Sequence, residues 1–205
     1  MITQNSTAPF EYTGGHISLD FVDTVNGRVR EKNEELLTDY GRLLQWSQES
    51  GTLPKRIVEQ LRALAEESPG KAESVLRNAI HLREAMYEIF LAVAQRRGIS
   101  EEALVVLNKA INQAASHTEI KGGARGFSKH WIEPEKHLDA MLWPVAQGAG
   151  ELLTSEDAQY IRECSAGDCG WVFLDKTKNH RRRWCEMKTC GNRAKAKRYY
   201  RRQRA

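Results

Sequence analysis

The sequence predicts a mainly α-helical protein with an N-terminal helical domain and a small cysteine-rich module at its C-terminal end. Two observations support this fold class. Several segments before residue 155 repeat apolar side chains at helical spacing, and all four cysteines of the 205-residue chain lie between positions 164 and 190. We therefore expect a domain over residues 1–155 and a second domain over residues 156–205.

The helical domain should contain four amphipathic helices with recognisable ends. They run from Asp39 to Gly51, from Pro54 to Leu64, from Pro69 to Gly98 and from Ser100 through Ile111. A small β-hairpin is expected around Gly122-Gly123, with His117–Lys121 and Phe127–Ile132 as its arms. Residues 134–153 again have a helical pattern, which Pro144 should bend or break after Trp143. These apolar stripes indicate a packed core rather than a ligand pocket.

One N-terminal segment, Gly14 to Thr24, mixes polar and apolar side chains closely. Two interpretations stay open for it. It is either a capped helix or strand packed under the bundle, or a place where Asp20, Asp23 and Thr24 face a small-molecule effector or a partner.

The C-terminal cysteines have the spacing of a zinc site. Cys164-x4-Cys169 and Cys185-x4-Cys190 are two close pairs separated by fifteen residues. Each pair supplies two ligands from a tight turn, and one metal ion joins the turns, so the pattern predicts one structural Zn²⁺ held by four thiolates. Two disulfides or an iron–sulfur cluster are the alternatives. Clustered cysteines in a chain without a targeting segment over residues 1–15 or a membrane span favour the cytoplasm.

The order of elements in this module predicts a treble-clef-like zinc finger, with a knuckle, a β-hairpin and a basic helix. Trp171–Leu174 should form one strand, Lys176–His180 the turn, and Arg183 and Trp184 part of the return strand. The segment after Cys190 contains alanines and long basic side chains that favour a helix. A module this small buries little apolar surface, so we expect it to be disordered without zinc.

The charge of the chain is divided unevenly. Residues 1–170 hold 18 Lys and Arg against 25 Asp and Glu, whereas residues 171–205 hold 13 Lys and Arg against two acidic residues. An acidic body with a dense basic end is typical of a protein that binds a polyanion. The candidate nucleic-acid contacts are Arg181, Arg182, Arg183, Asn192, Arg193, Lys195, Lys197, Arg198, Arg201 and Arg202.

The individual roles of these residues are less sharply defined by the sequence. Asn192 and Arg193 could read base edges, or Asn192 could cap the helix or steady the zinc ligands. Tyr199 and Tyr200 could stack on unpaired bases, although at least one is expected to pack on the body. A solvated basic tail without a dedicated partner is the alternative for the whole run.

Cys190-Gly191-Asn192-Arg193, with Phe173-Leu174-Asp175 and Arg182-Arg183-Trp184 before it, resembles the bacterial CGNR zinc-finger family. The Gly14 to Thr24 segment is similar to the signature of the helical ABATE domain that usually precedes that finger. The resemblance covers nearly the whole chain and implies a zinc-binding, stress-related transcription regulator. Two positions depart from the family pattern: Asp23 stands where Asn is usual, and Thr177 where Ser is usual.

Three classes of function are compatible with these features. A DNA-binding transcription regulator with an N-terminal sensor or dimerisation domain comes first, and it could act as a homodimer. An RNA-binding or ribosome-associated zinc protein is second. A nuclease of the HNH type, suggested by Asn179-His180, is disfavoured because four cysteines leave zinc no open position, so no enzymatic activity is expected. A redox-sensing role for the thiolates stays open.

Overall fold

The structure is a computed structural model that describes residues 9–124 and 126–203. Part of the expectation about a targeting segment falls on residues 1–8, which lie outside the described residues. The helices are α1 Ile17–Val22, α2 Tyr40–Glu49, α3 Lys55–Glu67, α4 Pro69–Gln95, α5 Glu101–Ser116, α6 Leu142–Thr154 and α7 Asn192–Gln203. The strands are β1 Val25–Asn26, β2 Glu34–Glu35, β3 Thr118–Gly123, β4 Gly126–Trp131, β5 Ile161–Glu163 and β6 Val172–Leu174.

The expected fold class is confirmed: the protein is mainly helical, with small two-stranded sheets and a four-cysteine module at the C-terminal end. Its core gathers the apolar stripes of α1 to α6. The largest side chains that are fully buried there include Trp46, Trp143, Phe21 and Phe90. The short helix α1 lies between α4 and α6, so the Gly14 to Thr24 segment is a capped helix packed under the bundle.

The starts of α2, α4 and α5 follow the residues expected from the sequence. Asp39 accepts a hydrogen bond of 2.9 Å from the amide of Arg42 at the start of α2, and Ser100 accepts one of 3.2 Å from Ala103 at the start of α5. Pro69 is the first residue of α4, where its missing N–H costs nothing. That helix ends three residues before Gly98, because Arg96 takes a left-handed conformation with φ 54°.

Two local predictions in the second half of the body have different outcomes. The hairpin is confirmed: β3 pairs antiparallel with β4, with Thr118 opposite Trp131 and Gly123 opposite Gly126. The prediction that Pro144 bends or breaks the helix is wrong. The α-helix begins only at Leu142, so Pro144 lies in its first turn, where backbone N–H groups need no helical partner.

The finger's hairpin differs from the sequence-based prediction. Strand β6 pairs with β5, which precedes Cys164, and not with a strand at Arg183 and Trp184. The knuckle itself reverses the chain, because the amide of Cys164 donates to the carbonyl of Trp171 at 2.8 Å. Arg183 keeps one backbone contact with this region, a hydrogen bond of 2.8 Å from the Ser165 amide.

The hairpin of β5 and β6 also belongs to the body's core. Ile161, Val172 and Leu174 are buried in the same apolar cluster as the helices, whereas Phe173 faces the cysteines. The boundary near residue 155 stays a prediction, and side chains from both sides of it share one core. None of the described helices combines the length and apolar character that crossing a membrane requires.

Candidate zinc centre and basic surface

The four cysteines converge on one point. Their sulfur atoms all lie within 4.8 Å of one another, and each cysteine is buried. Cys185 Sγ is 3.7 Å from Cys169 Sγ and 3.6 Å from Cys190 Sγ. These separations far exceed the roughly 2.05 Å of a disulfide bond, and they match the spacing of about 3.8 Å that four ligands at 2.3 Å from a tetrahedral zinc require.

The electrostatics of the cluster also favour a cation. Hydrogen bonds from Cys169 and Cys185 lower the pKa of the Cys164 thiol, whereas the pKa of Cys185 is raised by its hydrogen bonds with Cys164 and Cys169. Four thiols this close cannot all lose their protons unless a positive ion neutralises the resulting charge. Four sulfur ligands without an open position are the donor set of a structural zinc site, and one structural zinc ion belongs here.

The two pairs of cysteines come from different parts of the finger. Cys164 and Cys169 flank the knuckle between β5 and β6. Cys185 follows the loop after β6, and Cys190 lies in a single π-helical turn, Met187–Gly191, that leads directly into α7. The basic helix is therefore joined to the metal site through its own first residues.

Asp168, in the knuckle, is a residue that sequence reasoning missed. Its Oδ2 lies 3.3 Å from Nε of Arg193 and 3.4 Å from Nζ of Lys197, both on α7. Its carbonyl accepts a hydrogen bond of 2.9 Å from Arg30 of the body. One acidic residue thus connects the knuckle, the helix and the body, and a lone acid between two cysteines carries no sequence signal for that role.

Two of the candidate nucleic-acid contacts are occupied within the protein. Arg193 donates to Cys190 Sγ at 3.1 Å, close beside the metal ligand. Arg182 donates to the carbonyls of Trp184, Thr13 and Cys185, and its guanidinium lies 4.4 Å above the ring of Phe173. These contacts give Arg182 and Arg193 structural roles within the finger, whereas the sequence suggested both as nucleic-acid contacts.

Asn192 is also partly engaged. Its side-chain amide donates to the carbonyl of Lys188 at 3.0 Å, which closes the π-helical turn around Cys190. It lies within α7 and does not cap it.

The expectation that Tyr199 or Tyr200 packs on the body is wrong, because they are 60% and 64% exposed.

The other basic candidates are exposed to solvent. They are Arg181, Arg183, Lys195, Lys197, Arg198, Arg201 and Arg202. Arg181 and Arg183 lie on the loop after β6, which buried Asp175 organises by accepting hydrogen bonds from the Thr177 hydroxyl at 2.6 Å and the Arg182 amide at 2.8 Å. Burial acts to raise the pKa of Asp175, but these hydrogen bonds outweigh it and hold the pKa below its ordinary value.

His180 belongs to the same loop. Its Nδ1 lies 2.8 Å from the carbonyl oxygen of Asp175, and its ring stacks on Tyr160 with the ring centres 3.6 Å apart. Its φ of 46° is left-handed. The side chain is thus packed against the residues that lead into β5.

The three residues of the expected N-terminal ligand site serve internal contacts. Asp20 accepts a hydrogen bond of 2.8 Å from the Gly14 amide, and burial raises its pKa to about 6. Asp23 accepts one of 3.1 Å from the Val172 amide, and burial raises its pKa well above the ordinary value. The Thr24 hydroxyl donates to the Phe21 carbonyl at 2.8 Å and accepts from Arg83.

An ion network built on two buried arginines lies beside these residues and was not expected from the sequence. Arg83, on α4, is only 2% exposed and pairs with Glu35 through two bonds of 2.6 Å. Arg28 binds Glu84 at 2.7 Å and lies 4.0 Å above the ring of Tyr87. The network fixes the loop after α1, which packs against the knuckle.

That loop and α4 bind the finger through backbone acceptors. Trp171 Nε1 donates to the carbonyl of Val25 at 2.7 Å, and the Tyr87 hydroxyl donates to that of Gly170 at 2.9 Å.

A separate cavity of about 310 Å³ lies between α4, α5 and α6. Asp20, Asp23 and Thr24 are not among its lining residues.

Fold and site together define the class: a helical body that carries a four-cysteine zinc finger with a basic terminal helix. Comparison with family models assigns both parts. Residues 15–156 match the ABATE model, described as "Putative stress-induced transcription regulator", and residues 160–203 match the CGNR zinc finger. The chain therefore belongs to the ABATE family and has a CGNR zinc finger at its C-terminal end. No curated protein matched it.

Proposed function

We propose that this protein is a zinc-dependent, DNA-binding transcription regulator whose N-terminal domain serves as a sensor or dimerisation domain. The observation that supports the proposal best is helix α7. Its twelve residues, Asn192–Gln203, contain six Lys and Arg and no acidic residue, and none of its side chains is buried. Its base is attached to the zinc centre through Arg193 and Cys190.

The charges of α7 are mostly without a counter-charge in the protein. Among the described residues, Arg193 and Lys197 are near Asp168, while Lys195, Arg198, Arg201 and Arg202 have no acidic partner within salt-bridge distance. An isolated helix of this length is marginal in water, and closely spaced cations weaken it further. Phosphates of a nucleic acid supply the missing negative charge.

The loop after β6 offers a second basic element. Arg181 and Arg183 line an open groove together with Tyr12, Trp184 and Met187. Asp175 holds this loop in a fixed shape, so its arginines stay in a defined relation to the zinc centre. A polyanion bound along α7 would then meet cations on two elements of one small module, which favours a nucleic acid over a small anion.

We further propose that the protein has no enzymatic activity and acts in the cytoplasm. Four sulfur ligands fill a tetrahedral zinc shell and leave no position for a substrate or an activated water. Thiolates without disulfides persist in a reducing compartment. A nuclease assay with added magnesium, on wild type and on a His180→Ala variant, tests the first point: cleavage lost in the variant would contradict it.

The central experiment measures the affinity of the zinc-loaded protein for duplex DNA and for structured RNA across a series of salt concentrations. If five or six phosphates are contacted, log K should fall with log salt with a slope of about −5. Replacing Arg198, Arg201 and Arg202 by Gln should flatten the slope by roughly 2 to 3 units and weaken binding to all sequences.

A matched control replaces three exposed arginines of the body, Arg56, Arg62 and Arg77, by Gln. This variant has the same net charge as the α7 variant and should keep the wild-type slope. Equal losses in both variants would mean that total charge, not α7, governs binding. Failure of the zinc-loaded protein to bind DNA or RNA at low salt would overturn the proposal, and preference for RNA would replace DNA as the partner.

A further inference from the structure

The hairpin of β3 and β4 has an apolar face without a partner in the described structure. Opposed residues of an antiparallel pair share a face, so Ile120 and Phe127 lie on the same side as Trp131. Trp131 packs on Trp143 of the body, with ring centres 5.7 Å apart. Ile120 and Phe127, farther out, are 65% and 86% exposed. The outer half of the ribbon therefore presents two apolar side chains to solvent, on the face that also carries Lys129 opposite Ile120.

The alternation of hydrogen-bonded and non-hydrogen-bonded pairs in the hairpin shows which backbone groups face outward. The amide of Ile132 donates to the carbonyl of His117 at 2.8 Å, so this pair is a hydrogen-bonded one. Bonded and non-bonded pairs alternate along an antiparallel ladder. Thr118, Ile120 and Gly122 then direct their N–H and C=O groups away from β4. The outer edge of β3 is thus an open row of donors and acceptors centred on Ile120.

The two charged residues beside Ile120 are complementary between two antiparallel copies of β3. Glu119 precedes it and Lys121 follows it, and both are on the polar face of the ribbon. If two β3 strands pair antiparallel about Ile120, Glu119 of each copy lies opposite Lys121 of the other. These are non-hydrogen-bonded pairs, in which opposed side chains come closest. Within one chain Nζ of Lys121 already lies 2.7 Å from Oε1 of Glu119. Pairing of two copies would therefore exchange this pair in each strand for two salt bridges between the copies.

The edge of β4 lacks this property. Its corresponding centre is Lys129, and pairing two copies there would place two lysines opposite each other. Lys129 is also held against α6, where it donates to Gln147 at 2.6 Å. The two edges of the ribbon thus differ, and only β3 suits a second copy of the chain.

We propose that the protein forms a symmetric dimer in which β3 of two copies pair antiparallel about Ile120. The result is a four-stranded sheet with the order β4, β3, β3, β4. The ring of Phe127 lies over Gly122, where an added Cβ would be 3.2 Å from its Cε1. In this register Gly122 is opposite Thr118 of the second copy, so the ring extends the apolar face across the interface.

A charge-exchange series tests the register. Glu119→Lys and Lys121→Glu each place like charges opposite each other, and each should weaken self-association roughly tenfold, since the two symmetric pairs change together. The double variant with both substitutions should recover the wild-type dissociation constant. A mixture of the two single variants should form a mixed dimer. Sedimentation equilibrium measures all four associations, and it does not depend on nucleic-acid binding.

A backbone variant tests the edge itself. Ile120→Pro removes an N–H that the intrachain ladder does not use, so the hairpin should persist while the pairing between copies is lost. Ile120→Thr keeps that N–H and should retain more of the association. Val105→Thr, which changes an apolar residue of α5 that is 63% exposed, is the control and should leave the dimer intact.

Two outcomes would overturn the proposal. The first is a wild-type protein that remains monomeric at its highest soluble concentration. The second is a dimer whose dissociation constant is unchanged by Ile120→Pro and by the charge series, because that dimer must use another surface. Weakening by Val105→Thr in such a dimer would assign the interface to α5. Circular dichroism of each variant verifies that the helical body remains folded.

Discussion

Asp23 of the helical body accepts a hydrogen bond of 3.1 Å from the backbone amide of Val172, inside the hairpin of the zinc finger. Both residues are buried, with exposures of 2% and 0%. The bond joins two parts of the chain that are almost 150 residues apart in sequence. The finger is therefore seated on the body through a specific polar contact as well as through apolar packing.

The first prediction concerns this contact. Asp23→Ala leaves the buried Val172 N–H without an acceptor and should lower the free energy of unfolding by about 1–3 kcal/mol. Asp23→Asn keeps an acceptor oxygen and removes an ionisable group whose pKa is raised by burial. It should be at least as stable as wild type at neutral pH. Urea denaturation of the zinc-loaded proteins compares the three. An alanine variant as stable as the asparagine variant would contradict the prediction.

The second prediction concerns Asp20 and pH. Burial raises its pKa to about 6 in the folded protein, against about 3.9 when unfolded. The folded state therefore binds this proton more tightly, and the resulting stability is complete below about pH 4 and is lost as the pH rises through about 6. Relative to Asp20→Asn, wild type should become less stable across that window. A difference in unfolding free energy that is constant with pH would refute this.

The third prediction concerns the glycines of the knuckle. Gly170 has φ +77°, and a Cβ there would lie 2.8 Å from Cγ1 of Val29 and 3.0 Å from Cβ of Arg28. Gly170→Ala should cost about 2 kcal/mol, because a left-handed conformation and a close contact with the body both oppose the methyl group. Gly167→Ala is the matched control, since its Cβ meets nothing within 4 Å. Equal thermal midpoints for the two variants would be the contrary result.

The fourth prediction concerns zinc removal. Chelation should unfold the knuckle and α7, because zinc binding in such modules supplies on the order of 10–16 kcal/mol. Val172 and Leu174 belong to the body's core and should keep slow hydrogen exchange. Exchange measured with and without zinc checks both statements, with elemental analysis to verify the metal content. Unchanged protection of residues 186–203 in metal-free protein would show that the finger folds without zinc.

Much of the local structure could be predicted from the sequence. The caps Asp39 and Ser100 act within a few residues, so their signals are complete in the sequence. The hairpin was also found, although Gly122 and Gly123 lie at the end of β3 and not in its turn. The spacing of the four cysteines is equally local, since four residues separate the two members of each pair. Pro144 was misjudged because its effect depends on where the helix begins, which the contacts of α6 with α1 and α5 decide.

By itself, the sequence determined the metal ligands, the helical class and the concentration of positive charge at one end, because composition and short-range spacing are sufficient for those properties. Only the tertiary structure decided which strands pair. It also decided that Asp23, Asp168 and Arg182 make contacts within the protein, inside the finger or between the finger and the body. Each of those roles depends on a partner distant in sequence or on a backbone group, and backbone groups are the same in every residue. Burial then decides whether a carboxylate or guanidinium serves the interior or remains available to a ligand.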